Sequence, residues 1–389
     1  MSRVRASKKG VERLNNSNFS PAEEFTVDEK VTKFKRVKII HPKMKQVMKE
    51  LDSLIRRPFG NEIIMVLGPS GVGKSTLIHE LKKGIIEDLF DELEKEKSIL
   101  PFVFIELISP DGGIFNWKDF YMRVLKAMEE PLIEQKVIYE KKVGLKLRDR
   151  KQISEGHYLT SPELRRSLEN AFHYRKPKVF IIDEAQHFTK VRSARKYLDQ
   201  LDSLKSLSNL TQVPQLLVGT YELENFVNLN GQLARRTLDI QFPRYDLSNE
   251  QDLVNYLGVI RGLLDHMPVE VSFDLLECFD FLYERTLGCV GILKDWLTRA
   301  LRLALESNKN LLELKHLKST ALSINKISKL VDEVAQGEAC FIEAPEKVLE
   351  VRMKLGIEIE GIKKVNNSRK KDVGVRKAKR DRVGTVNDK

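Results

Sequence analysis

Five short apolar runs organise the first two thirds of the chain: Ile63–Leu67, Phe102–Leu107, Val179–Asp183, Gln215–Gly219 and Leu238–Phe242. Each is too short for a helix and reads as a buried strand. Helical spacing of apolar residues fills the intervals, at Ser75–Phe90, Asn116–Met128, Pro162–Tyr174 and Arg195–Asn209. A helix over 42–57 precedes them, opened by Pro42, with Met44, Val47, Met48, Leu51, Leu54 and Ile55 on one face. Strands alternating with helices predict a mostly parallel sheet covered on both faces. After Tyr245 the strand pattern stops. Residues 249–265, 272–286, 291–306 and 314–335 read as helices, the third with Ile292, Leu293, Trp296, Leu297, Ala300, Leu301, Ala304 and Leu305 on one face. No internal repeat is visible.

The chain has 389 residues, 41% of them hydrophobic, which excludes wholesale disorder. No apolar run approaches the length of a membrane span. The N-terminal MSRVRASKKG is basic but lacks the apolar core of a secretory signal. Cys278, Cys289 and Cys340 have no metal-like spacing, so a zinc site or disulfide framework is not expected and a cytoplasmic setting fits. The net charge of +11 sits at the ends. Residues 1–38 carry 10 basic and 5 acidic side chains and residues 363–389 carry 11 and 3, which leaves the body slightly acidic. Basic ends suit a polyanionic partner, or are simply solvated. Within the body, one basic stretch runs from Lys141 to Lys151 and reads as an insertion.

Residues 68–75 read Gly-Pro-Ser-Gly-Val-Gly-Lys-Ser, a P-loop between a strand and a helix. In such a loop, Gly68, Pro69, Ser70, Gly71, Val72, Gly73, Lys74, Ser75 and Thr76 form the cradle, and the backbone N–H groups of all but Pro69 are available to phosphate oxygens. The helix N-terminus adds its positive dipole end. Lys74 reaches the β- and γ-phosphates of ATP, and Ser75 ligates Mg²⁺. The third strand ends in Asp183-Glu184, a Walker B pattern, with Asp183 toward Mg²⁺ and Glu184 polarising the attacking water. Thr220, at the end of the fourth strand, suits contact with the γ-phosphate or the water. Arg235 and Arg236, before the fifth strand, suit an arginine finger offered to a neighbouring subunit's ATP; either one fits.

This order of motifs resembles an AAA+ ATPase. The wording is similar to the TnsC/TniB transposition regulators over about residues 38–325. His41-Pro42, Asp183-Glu184-Ala185-Gln186-His187, Gly219-Thr220-Tyr221-Glu222-Leu223, Asn230-Gly231-Gln232-Leu233-Ala234-Arg235-Arg236 and Phe242-Pro243-Arg244-Tyr245 carry the likeness. The resemblance implies an α/β P-loop fold of three layers with a five-stranded parallel sheet, followed by a small all-α lid. The domains implied are a basic, loosely ordered 1–37, an ATPase domain at 38–245 with the 131–160 insertion, a lid at 246–335, and an extension at 336–389 with a basic tail.

It further implies ATP-dependent assembly of copies of the chain, as a ring or filament, on double-stranded DNA. Partners would be a target-selection protein or complex and a transposase, in a prokaryotic cytoplasm, with hydrolysis driving disassembly. Two features depart from the wider AAA+ pattern: Gly288–Lys294 offers no sensor arginine, and the interval from Lys74 to Asp183 is long. DNA contacts would go chiefly to phosphate. The candidates are Lys118, Arg123 and Lys126 by resemblance, and Lys142, Lys146 and Arg148 in the basic stretch. A replication initiator or helicase loader is the alternative within AAA+. A nucleotide-gated adaptor with little hydrolysis is the alternative outside it, against which Glu184 speaks.

Overall fold

The computed structural model describes residues 25–57, 63–110, 115–131, 160–189, 194–224, 237–307 and 310–357; within the helix Ala194–Thr211, side chains are described from 203 onward. Described residues up to Phe341 belong to one compact unit and those from Ile342 to a second, which carries a helix at Pro345–Lys354.

The first unit is built on five parallel strands: β1 (Ile63–Leu67), β2 (Val103–Glu106), β3 (Phe180–Asp183), β4 (Gln215–Gly219) and β5 (Thr237–Gln241). Their order is β2-β3-β4-β1-β5. Register runs Ile63↔Gln215 and Leu67↔Gly219 between β1 and β4, and Ile63↔Thr237 and Leu67↔Gln241 between β1 and β5. The five apolar runs are therefore the strands, with ends shifted by a residue or so. Every residue of β1 is buried because side chains alternate between two covered faces. Ile63, Met65 and Leu67 join one core with Phe120, Phe172, Phe180 and Phe188. Ile64 and Val66 join the other with Met44, Leu51, Leu77 and Leu81.

The first core is covered by α5 (Trp117–Ala127), α6 (Ser161–Arg175) and α7 (Ala194–Thr211), the second by α2 (Pro42–Arg56) and α3 (Lys74–Asp88). Helix starts follow local chemistry. Asn116 accepts from the backbone N–H of Lys118 and Asp119, and Thr160 with Glu163 forms a capping box. A short helix, α4 (Phe90–Lys95), follows α3.

Behind the sheet lie α8 (Glu250–Asp265), α9 (Leu275–Thr286), α10 (Val290–Glu306), α11 (Leu314–Thr320) and α12 (Ile324–Ala339). Their core centres on Tyr256, Leu293, Trp296 and Leu301, and the Trp296 indole donates to the Leu317 carbonyl at 3.0 Å. Three findings alter the sequence reading here. The lid is not all-α, since β6 (Glu270–Val271) pairs in parallel with β7 (Leu311–Leu312). The stretch 314–335 is two helices, α11 and α12, and α12 runs continuously past position 335.

The third finding concerns the N-terminal segment. A helix, α1 (Val27–Arg36), forms within it, with Thr26 and Glu29 as capping box, and buries Val31 and Phe34 in the lid core. Ile292, grouped with the apolar face of α10 by its spacing, is only partly buried and faces the P-loop instead. Among the described residues no helix is long and apolar enough to cross a membrane.

Candidate functional site

In a parallel sheet all strands deliver their carboxyl ends to one edge, and a ligand site forms there. β1 ends at Leu67, just before Gly68, β3 at Asp183 and β4 at Gly219, with β4 between the other two. The Gly68 N–H donates to the Gly219 carbonyl at 3.3 Å, which ties the P-loop to the end of β4.

The loop turns through Gly71 at φ 76° and Gly73 at φ 119°, and Gly73 caps α3 without a side-chain bond. Both angles lie where L-residues with a Cβ are disfavoured. Lys74 is folded back over the loop, its Nζ 2.9 Å from the carbonyls of Gly68 and of Pro69. Burial pushes the Lys74 ammonium pKa down, and the carboxylates of Glu184 and then Asp183 push it back up. Both acidic groups thus act on the loop lysine. Ser75 lies on the exposed side at the start of α3.

Asp183 is buried, and burial raises its pKa, opposed by the backbone N–H that Glu184 donates to it at 2.9 Å. Glu184 stands at φ 53°, a left-handed conformation that a glutamate rarely adopts and that packing around it must hold. Thr220 follows β4 directly; its Oγ1 is buried and has no hydrogen-bond partner. A cavity of about 330 Å³ opens here, lined in part by Ser70, Thr220, Ile292, Glu333 and Gly337.

The lid reaches the loop as well. The Gly291 N–H, in the first turn of α10, donates to the Gly71 carbonyl at 2.7 Å. A Cβ at Gly291 would lie 2.5 Å from that oxygen, so glycine alone allows this approach. Lys294, the cation nearest the start of α10, turns away and donates to the Lys35 carbonyl at 2.7 Å. From the other side α12 returns to the site. Glu338 pairs with Arg244 at 3.0 Å, Arg244 donates to the Tyr283 hydroxyl at 2.7 Å, and Tyr221 meets Phe341 at 5.8 Å between ring centroids.

His41, at the head of α2, contacts the Tyr245 hydroxyl through Nδ1 at 3.0 Å and stacks on Phe242. Burial, with Lys43 nearby, lowers its pKa to about 4, so the ring is neutral near neutral pH. Neither the α12 return nor the lid latch has a signature in periodicity or motif, because both join segments far apart in sequence.

The structure thus brings Gly68–Thr76, Asp183, Glu184 and Thr220 to one edge. Lys118 and Arg123 stand on α5, where Arg123 is paired with Asp119 at 2.6 Å. Arg235, Arg236, Lys142, Lys146 and Arg148 lie outside the described residues, as does the basic tail. Among the described residues no cluster of three or more His, Cys, Asp or Glu side chains is arranged to hold a metal. A Mg²⁺ ion bound with phosphate asks for only one or two protein ligands, which Ser75 and Asp183 can supply.

A family model described as an AAA domain matches residues 56–227. The chain has the AAA+ P-loop fold, a five-stranded parallel sheet with a helical lid behind it. It is similar to the ORC2 protein of Aeropyrum pernix (ADPNP-ADP complexes), with 12% identity, TM-score 0.48, and coverage of 74% of this chain and 69% of that one. It is similar to the ORC1 protein of the same organism in complex with DNA, with 16% identity, TM-score 0.43, and coverage of 72% and 63%. Cdc6p from Pyrobaculum aerophilum gives 18% identity, TM-score 0.45, and coverage of 72% and 67%. The chain spans about two thirds of the length of these proteins. No curated protein sequence matches it.

Proposed function

We propose that the chain is an ATP-dependent switch that assembles on double-stranded DNA and couples target selection to a transposase. The observation that carries the nucleotide part is the strand order, which brings the ends of β1, β3 and β4, and with them Lys74, Asp183 and Glu184, to one edge of the sheet. A buried, unpartnered Thr220 hydroxyl at the same edge fits a phosphate oxygen or the attacking water. In this reading Lys74 leaves its two carbonyl partners for the β- and γ-phosphates. Ser75 and Asp183 would hold Mg²⁺, directly or through water, and the ion would supply positive charge against the phosphates.

Glu184 orients a water and takes its proton as the water oxygen bonds to the γ-phosphorus. The bridging oxygen leaves with ADP, and the proton passes to solvent. Arg235 or Arg236 serves the neighbouring copy's site. The transposition role rests on the resemblance of residues 41–42, 183–187, 219–223, 230–236 and 242–245 to TnsC/TniB regulators. Lys118, Arg123 and the stretch with Lys142, Lys146 and Arg148 are the proposed phosphate contacts on DNA.

The test is electron microscopy and ATP turnover of the chain with ATP, Mg²⁺ and duplex DNA, beside Glu184→Gln. The wild type is expected to form DNA-bound oligomers that disperse as ATP is consumed, and the variant to hold them. A chain that stays monomeric with all three present overturns the reading.

A further inference from the structure

We propose that Gln186 is a positioning residue that fixes the direction of the Glu184 carboxylate and ties it to the end of β4; this rests on the reading of Glu184 given above. Gln186 lies in the turn after β3 and is buried, an uncommon situation for a glutamine without a task for both ends of its amide. Both ends are used. Its amide nitrogen donates to Glu184 Oε2, and its amide oxygen accepts the Thr220 N–H at 3.3 Å. One side chain therefore bridges the acidic end of β3 and the residue that follows β4.

The bridge depends on Gly219. A Cβ there would lie 2.7 Å from Gln186 Oε1 and 3.3 Å from the Gln186 backbone nitrogen. The amide is seated where strand β4 lacks a side chain. The same arrangement accounts for the left-handed Glu184: its N–H is held by Asp183 and its carboxylate by Gln186, so the rare backbone angle is fixed from both ends. With Oε2 occupied by an amide donor, rotation of the carboxylate is restrained. Thr220 and Glu184, both assigned to the γ-phosphate end, are thus connected by two hydrogen bonds through one amide. A shift at Thr220 on phosphate contact is transmitted to the carboxylate.

The experiment measures steady-state ATP turnover of the full chain with duplex DNA for wild type, Gln186→Met, Gln186→Glu and Gly219→Ala, together with affinity for a fluorescent ADP. Methionine keeps the length and removes both bonds. Glutamate keeps an acceptor for Thr220 and puts a second carboxylate against Glu184. All three variants are expected to lose kcat by roughly 10- to 100-fold, the span of a hydrogen bond to a charged group, with KM and ADP affinity within about twofold of wild type. In a Glu184→Gln background, Gln186→Met is expected to add no further loss, because the two act as one unit. A buried glutamine with a purely structural role would move affinity and kcat together and would add its loss in either background.

Unchanged kcat in a folded Gln186 variant, or a fall in kcat matched by a fall in affinity, overturns the inference while leaving Glu184 in place. If Gln186→Met does not fold, Gln186→Glu and Gly219→Ala decide it. A wild-type chain that turns over no ATP with duplex present overturns the reading of the site and this inference with it.

Discussion

His41 offers a stability test that needs neither nucleotide nor DNA. Its ring is 2% exposed, its Nδ1 contacts the Tyr245 hydroxyl, and its Nε2 is buried without a partner. Adding a proton would put a charge into this packing beside Lys43, which is why the pKa falls from 6.5 to about 4. With the folded pKa below the unfolded one, the unfolded chain binds more protons throughout the interval between them. Stability from this group is present above the interval and is lost as pH falls through it. At about pH 5 the unfolded chain is mostly protonated at position 41 and the folded chain mostly not, so the loss relative to about pH 7 is about 2 kcal/mol.

The assay is urea unfolding of wild type and His41→Phe at both pH values. Phenylalanine retains a ring against Phe242 and removes the titration. At neutral pH the variant is expected to be less stable by about 1 kcal/mol, the worth of the lost hydrogen bond. Its further drop on acidification should be smaller than that of wild type by about 2 kcal/mol. Equal drops in the two proteins would show that position 41 is not held neutral by burial, and the argument would fail.

Other consequences follow from the packing. Gly291→Ala sets a Cβ against the Gly71 carbonyl with backbone on both sides, so stability should fall by about 1–3 kcal/mol and nucleotide affinity with it; calorimetry and fluorescent-nucleotide titration read both. Phe120→Ala removes a ring that meets Trp117 at 5.3 Å and Phe188 at 5.7 Å between centroids, at a cost of about 3–5 kcal/mol in denaturant unfolding. Arg244→Ala breaks the bonds to Tyr283 and Glu338 and should cost about 1–3 kcal/mol. Hydrogen exchange should then quicken across 324–339 while β1 and β4 stay protected.

What the sequence determined by itself is the set of features whose cause is local. Ile63–Leu67 reads as a strand because five consecutive apolar residues bounded by a glycine loop fit little else, and Gln215–Gly219 does so through the short apolar run Leu216–Val218. The phosphate cradle at 68–75 and the acidic ends of β3 were legible because spacing along the chain dictates their geometry. Tertiary structure alone decided which distant groups meet. Strand order inserts β4 between β1 and β3, and so brings Thr220 and Gly219 beside Asp183, Glu184 and Gln186. The Gly71–Gly291 latch spans 220 residues, Arg244–Glu338 spans 94, and α1 gives Val31 and Phe34 to a core more than 200 residues onward. Such contacts leave no periodicity in the chain, because they are fixed by the packing of elements whose own patterns say only which face is buried.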